Sequence, residues 1–465
     1  MELFNDQIKA VSDIEKSMTA GNKRVLLRAE TGSGKTIMAT NILHRARQKK
    51  NTTWFVVPRK QLLRQTANTY EAFGLPHSYI ASGKEYDMFA DNYIVSLQTL
   101  PKRLDSVDPP RLAIVDECHF DFGLDHLFEW FKKHGTYVIG LSATPLLSNG
   151  DGLDKWFGDM VMGLPLRQLI DLRRLSDYRY FEANAPDKAA LKANNKSDYT
   201  KKSMTDWLDV HGKYIVGNAI DLYKEYSYGK LCIHFAPSIQ ESERTAMQYN
   251  KAGIPAAHMD GNTPELIRNE IIRKYAEKEL LVLCNVDLMT FGFDLSAQVG
   301  KDVVVETEID ASPTKSLTKQ RQKWGRALRR KDEPATIIDL VGNSEMHNYP
   351  CTDIDWNLDG KERKVRKETK REVKMRQCPS CPRCHPPAPK CPYCGHEYEV
   401  QARKVENVDG IIREIDKEAI RATKKVKRME VGRAKTIKDL QQIAKERGYK
   451  QGWVYQIMKA RGIKR

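Results

Sequence analysis

The sequence predicts an α/β chain of two tandem parallel-sheet domains, followed by a cysteine-rich module and a small basic helical tail. Three observations predict it. Short apolar, β-branched runs alternate with helical patterns in two successive series, and a Gly-rich loop joins the first run to the helix after it. After Pro350 the composition turns to charge and cysteine.

The first series is VLLRAE (25–30), TTWFVVP (52–58), YIVSLQ (93–98), LAIVDE (112–117) and YVIGLSA (137–143). Strands buried on both faces of a parallel sheet read as such continuous apolar runs, and the intervening segments are long enough for helical crossovers. A polar stretch at 183–212 precedes the second series: KLCIHFA (230–236), PAAHMD (255–260), LLVLCNV (280–286), DVVVETE (302–308) and ATIIDLV (335–341). The expected domains are therefore 1–182 and 183–350. The segment KERKVRKETKREVKMRQ (361–377) then marks a basic linker over 351–377, before a cysteine module at 378–400 and a tail at 401–465. Within the tail, Thr436 with Asp439 three residues on has the form of a helix start, and Ile437, Leu440 and Ile443 give one apolar side. Gly448 would end that helix, and Trp453, Val454 and Ile457 suggest a second.

With 465 residues the chain exceeds one hydrophobic core. Its net charge of +16 is unevenly placed: residues 351–465 hold 30 Lys and Arg against 16 Asp and Glu, a net of +14, which leaves +2 for residues 1–350. An appended segment of this kind is the footprint of polyanion binding, the plainer alternative being a solvated tail. Mean hydropathy is −0.59, and no apolar run approaches the roughly eighteen residues of a membrane span. The start MELFNDQIKA lacks the basic head and apolar core of a signal peptide. The expected setting is a reducing cytoplasm, with no membrane partner.

Ala29 to Thr36 reads AETGSGKT between a strand and a helical pattern, the setting a P-loop requires. Backbone N–H groups of Thr31, Gly32, Ser33 and Gly34 would wrap phosphates, Lys35 would reach the β- and γ-phosphates, and the Thr36 hydroxyl would ligate Mg²⁺. ATP and Mg²⁺ are the expected cofactors. VDECH (115–119) ends a later strand, at the sheet edge that faces a nucleotide crevice. There Asp116 could hold Mg²⁺ and Glu117 could orient and deprotonate an attacking water.

With LSATP (141–145), these elements resemble the superfamily-two helicases and translocases of the DEAD/DEAH-box type, here spelled DECH. By that resemblance Gln7 reads adenine, while VPRKQL (57–62) and SLQTL (96–100) touch a nucleic-acid backbone. IHFAPS (233–238), HMDGNTP (258–264) and CNVDLMTFGFDLS (284–296) resemble motifs of the second half, with Asp294 as a nucleotide contact. Phe291 departs from the pattern, standing where relatives carry Glu before GFD. QKWGRALR (322–329) resembles the sixth motif, which implies Gln322 near the nucleotide and Arg326 and Arg329 reaching across the cleft to the γ-phosphate. SPTKS (312–316), IIDLVGN (337–343), the cysteine module and the last residues together resemble bacterial RadD and related phage helicases.

The resemblance implies that the two domains are RecA-like and that the cysteine module is a zinc ribbon, and it implies an ATP-driven DNA helicase or translocase in repair, recombination or replication, in a bacterial cell or a phage-infected host. Its partner would be single-stranded or branched DNA, with RNA as the alternative, and single-strand-binding or recombination proteins besides. An RNA helicase, a restriction-type motor and an ATP-switched binding protein are the other readings.

Five cysteines lie in QCPSCPRCHPPAPKCPYCG (377–395), and a tetrahedral zinc site takes four ligands. Either Cys378/Cys381 or Cys381/Cys384 can form the first knuckle opposite Cys391/Cys394. The ribbon this region resembles implies Cys378, Cys381, Cys391 and Cys394 as the Zn²⁺ ligands, with Cys384 spare. A disulfide framework is disfavoured in a reducing compartment.

Overall fold

The computed structural model describes residues 3–120, 123–147, 150–183, 186–193, 198–286, 288, 295–352, 354–360, 376–378, 380, 384–385, 388–398 and 437–446. Residues 1–398 form one compact unit and 399–465 a second.

Sheet one holds β1 (Arg24–Arg28), β2 (Thr53–Val57), β3 (Ser78–Ile80), β4 (Asn92–Ser96), β5 (Leu112–Val115), β6 (Tyr137–Ser142) and β7 (Asp159–Met162). Their order is β3-β4-β2-β5-β6-β1-β7 and all pairs are parallel. Sheet two is a second parallel array of β8 (Tyr178–Glu182), β9 (Cys232–Phe235), β10 (Ala256–Met259), β11 (Val282–Asn285), β12 (Thr307–Asp310) and β13 (Ala335–Asp339), in the order β10-β11-β9-β12-β13-β8. A two-stranded antiparallel hairpin, β14 (Arg376–Gln377) and β15 (Cys384–His385), lies near the end of the unit.

The helices are α1 (Asn5–Thr19), α2 (Lys35–Gln48), α3 (Gln61–Ala72), α4 (Leu124–His134), α5 (Leu166–Asp171), α6 (Lys201–Tyr226), α7 (Ile239–Lys251), α8 (Glu265–Ala276), α9 (Leu295–Val299), α10 (Leu317–Ala327), α11 (Ser344–His347) and, in the second unit, α12 (Ile437–Glu446). Successive strand side chains point to opposite faces, and the cores divide accordingly. Val25, Leu27, Phe55 and Val57 pack with Val11 and Ile14 of α1 and Leu43 of α2, whereas Leu26, Trp54 and Val56 pack with Phe128 and Phe131 of α4. Sheet two repeats the three-layer plan, with α6 and α7 on one face and α8 and α9 on the other.

Two expectations need correction. The strand β8 falls inside the range 1–182, yet it pairs with β13 in sheet two, so the join between the sheets precedes Tyr178. Tyr180 packs there with Leu166, Leu169 and Trp324, which gives this strand its core on the second side. The run DVVVETE is also not the strand its apolar residues suggest: β12 begins at Thr307 and reads TEID. Val303 and Val305 fill the core of α8 and α9, and the strand itself buries Thr307, Glu308 and Asp310. Of the tail, α12 runs over 437–446, and the second expected helix lies outside the described residues.

Candidate active site

The site is assembled where the C-terminal ends of β1 and β5 meet α10 from the other sheet. Gly34 caps α2 at φ +88, and a Cβ there would lie 2.4 Å from Gln7 Nε2, so only glycine serves both the left-handed turn and the close approach. Gln7 Nε2 donates to Ser33 O at 3.0 Å, and its Oε1 accepts from Phe4 N at 3.0 Å. Gln7 is thus placed against the P-loop itself. Lys35 is buried on the same loop, its Nζ donating to Ala29 O (3.1 Å) and Glu30 O (3.3 Å). Thr31 Oγ1 and Ser33 Oγ are buried with no hydrogen-bond partner among the described residues. A phosphate supplies acceptors for such hydroxyls, so the loop fits a nucleotide.

Glu117 follows β5 with φ +45, a conformation that costs a non-glycine residue on the order of 1–3 kcal/mol. Residues held this way cluster at functional sites, and the sequence pattern gives no sign of it. The turn buries Glu117 and sets its Oε2 3.3 Å from His119 Nδ1. His119 Nδ1 lies 3.0 Å from Ser142 Oγ, which donates to Thr144 O at 2.6 Å. VDECH and LSATP are thereby one hydrogen-bonded unit. Burial lowers the His119 pKa, against the pull of Glu117. Asp116 is pushed up to about 7, chiefly by burial and next by Glu117, with Lys35 opposing. A carboxylate so short of stabilising charge fits a divalent cation.

Helix α10 closes the site from sheet two. Ser316 Oγ caps it by accepting from Lys319 N at 3.3 Å. One face is fastened to its own sheet: Lys323 Nζ donates to Asp310 Oδ1 at 2.7 Å and Gln320 Nε2 to Asp310 Oδ2 at 2.8 Å. Trp324 and Ala327 pack in the core of β8 and β13. The opposite face meets sheet one. Gln322 Nε2 donates to Glu117 Oε1 at 3.1 Å, and a Cβ on Gly325 would lie 2.5 Å from Thr31 Cγ2. The structure therefore brings Gln322 and Gly325 onto the P-loop and DECH elements. Arg326 is buried one residue on, while Arg329, half-buried beyond the helix, bridges Leu175 through its backbone. Asp294 lies outside the described residues.

In the cysteine module, the Cys378, Cys391 and Cys394 sulfurs all lie within 4.8 Å of one another, Cys378 and Cys394 at 3.6 Å. Tetrahedral thiolates at about 2.3 Å from zinc sit roughly 3.8 Å apart, so the three fit such an ion. Cys381 lies outside the described residues. Cys384 stands on β15 opposite Gln377.

Residues 1–147 match the model of the type III restriction enzyme res subunit, and 216–331 that of the helicase conserved C-terminal domain. A 51.5 kDa protein of a Lactococcus phage (isolate 7-9) is 30% identical over 359 residues, 76% of this chain and 74% of that protein. Saccharomyces cerevisiae IRC3, named as an ATP-dependent helicase, is 24% identical over 73% of this chain but 51% of its own length. A fragment of an HsdR-type subunit of a type I restriction enzyme from Vibrio vulnificus YJ016 shares the fold with a TM-score of 0.58 at 20% identity, over 76% of this chain and 66% of that one. Among the described residues no helix is long and apolar enough to cross a membrane. Two parallel sheets that meet at a P-loop, a DECH element and a QKWGRALR helix, with these relatives, place the chain among the superfamily-two helicases of the DEAD/DEAH type, nucleic-acid-dependent ATPases.

Proposed function

We propose that the chain is an ATP-driven motor on DNA, a helicase or translocase serving repair, recombination or replication. The observation that carries the reading is the 3.1 Å contact of Gln322 with Glu117, side chains from different sheets meeting beside the P-loop. Lys35 and the backbone of Thr31 to Gly34 hold the phosphates. Thr36 and Asp116 would hold Mg²⁺, which would supply charge neutralisation at the phosphates when bound. Glu117 takes the proton of the attacking water, with Gln322 fixing its other oxygen. Arg326 and Arg329 meet the charge that develops on the transferred phosphoryl group, for which a planar, permanently charged fork is suited. Gln7 and Asp294 complete the nucleotide contacts. With these groups split between two sheets, turnover follows closure of the cleft, and DNA lying across both would be stepped along.

DNA is favoured over RNA because the matched family is a restriction-enzyme subunit. The same match favours a restriction-type motor as the second reading, one that tracks duplex without opening it. Lys35→Ala is expected to abolish DNA-stimulated ATP hydrolysis, and Glu117→Gln to keep ATP binding while stalling turnover. Native-rate hydrolysis by Glu117→Gln would remove Glu117 as the base. Fork unwinding against triplex displacement separates the two readings, and stimulation by DNA against RNA settles the polymer.

We further infer that Cys378, Cys381, Cys391 and Cys394 hold a structural Zn²⁺ and that the basic segments around them bind the nucleic acid.

A further inference from the structure

Glu30 is the second residue of AETGSGKT, and a carboxylate at the mouth of a phosphate loop repels the ligand unless its charge is spent elsewhere. It is spent on two arginines. Arg28 Nη2 of β1 donates to Glu30 Oε1 at 2.5 Å, and Arg321 Nη1 of α10 lies 3.3 and 3.4 Å from the two carboxylate oxygens. Arg28, Glu30 and Arg321 are 2%, 6% and 7% exposed. Arg28 Nε also donates to Ala143 O of LSATP at 3.1 Å. One buried carboxylate therefore joins the P-loop, LSATP and the helix from the other sheet.

The segment after β13 completes the arrangement. Arg321 Nη2 donates to Thr352 O at 3.1 Å. The Trp356 ring lies 5.1 Å from the Arg28 guanidinium and 5.4 Å from that of Arg321, so its π face meets the positive charge left by two arginines on one glutamate. Two residues on, Leu358 O accepts from Leu153 N (2.7 Å) and Asp154 N (3.0 Å), back on the first sheet's side. Removing one partner of a buried pair leaves an uncompensated charge. The network is thus sensitive to the placement of α10.

We propose that Glu30 is a positioning residue: its ion pair with Arg321 draws Gln322 and Gly325 onto the P-loop, and Trp356 on the returning strap shields that pair from water. The proposal rests on the reading that hydrolysis occurs where Gln322 meets Glu117. The test uses the full chain, steady-state ATPase with single-stranded DNA, and affinity for a fluorescent ATP analogue. Glu30→Gln and Arg321→Met each lower kcat about tenfold with analogue affinity kept within about twofold; Glu30→Asp recovers most of the rate, and the double variant is no slower than the slower single. Additive losses, a native kcat in Glu30→Gln, or a loss carried by affinity overturn it. If Glu30→Gln does not fold by circular dichroism, Arg321→Lys carries the test, since it keeps the charge and loses the fork: lowered kcat supports the pair and native kcat overturns it. Lys35→Ala run alongside separates the two ideas, because hydrolysis by that variant would remove the site reading itself.

Discussion

Glu308 lies on β12 fully buried, and neither of its carboxyl oxygens has a hydrogen-bond partner among the described residues. Burial pushes its pKa well above the usual range, Asp310 and Asp339 push the same way, and Lys323 opposes them. The folded protein therefore keeps this proton at pH values where the unfolded chain has released it. Its contribution to stability is complete below about pH 4, the unfolded value for Glu, and is lost as pH rises toward the raised folded value. Glu308→Gln should raise the thermal midpoint by a few degrees at pH 8 and by less at pH 5. A gain equal at both pH values in matched melts would show that Glu308 is ionised in the fold. Residues of this kind escape sequence reading, because a carboxyl in an apolar run reads as a strand end. Glu117 escaped in part as well: VDECH gave its identity, and nothing in the spelling gave the left-handed backbone that turns it toward His119.

At the level of elements, α10 works through its two faces. Lys323 and Gln320 hold it to Asp310, so it moves with sheet two, and Gly325 lets its other face touch Thr31. Gly325→Ala places a methyl 2.5 Å from Thr31 Cγ2, closer than any stable contact, and the helix must withdraw. The expected result is a fall in kcat of at least about tenfold with the protein still folded; near-native turnover would mean that this contact is dispensable. The sequence marked α10 through the resemblance of QKWGRALR to the sixth motif. It hid β8, whose residues YRYFE give no apolar run, and it put β12 too early, because Val303 and Val305 are buried outside the strand. Five runs of sheet one lie on β1, β2, β4, β5 and β6, where both faces are buried, while β3 and β7 at the sheet edges were missed. The cysteine knuckles belong at this scale too. Zinc content should fall in Cys378→Ser, Cys381→Ser, Cys391→Ser and Cys394→Ser and persist in Cys384→Ser, and retention in Cys378→Ser with loss in Cys384→Ser would reverse the ligand choice.

Over the whole molecule the charge divides as the units do. Residues 399–465 hold 19 Lys and Arg against 9 Asp and Glu, a net of +10 of the total +16. Ending the chain at Tyr398 keeps the strap and the cysteine module and removes most of the excess charge. Nucleic-acid binding should weaken and its dependence on salt flatten, by roughly one unit of slope per lost phosphate contact, with ATP binding kept. An unchanged slope would make this segment a solvated tail.

The strap has a further consequence. Where it returns, Gly152 and Gly360 cross so closely that a Cβ on Gly152 would lie 2.3 Å from Gly360 N and one on Gly360 2.0 Å from Gly152 N. The second sheet is thus joined to the first twice, by the chain between β7 and β8 and again past Pro350. A body hung from one cord can swing in any direction, but one pinned at two separate points keeps a single rotation about the line through them. Such a joint would restrict relative movement of the two sheets to one arc, whose length at any point is set by the distance from that axis and not by how far the cleft gapes.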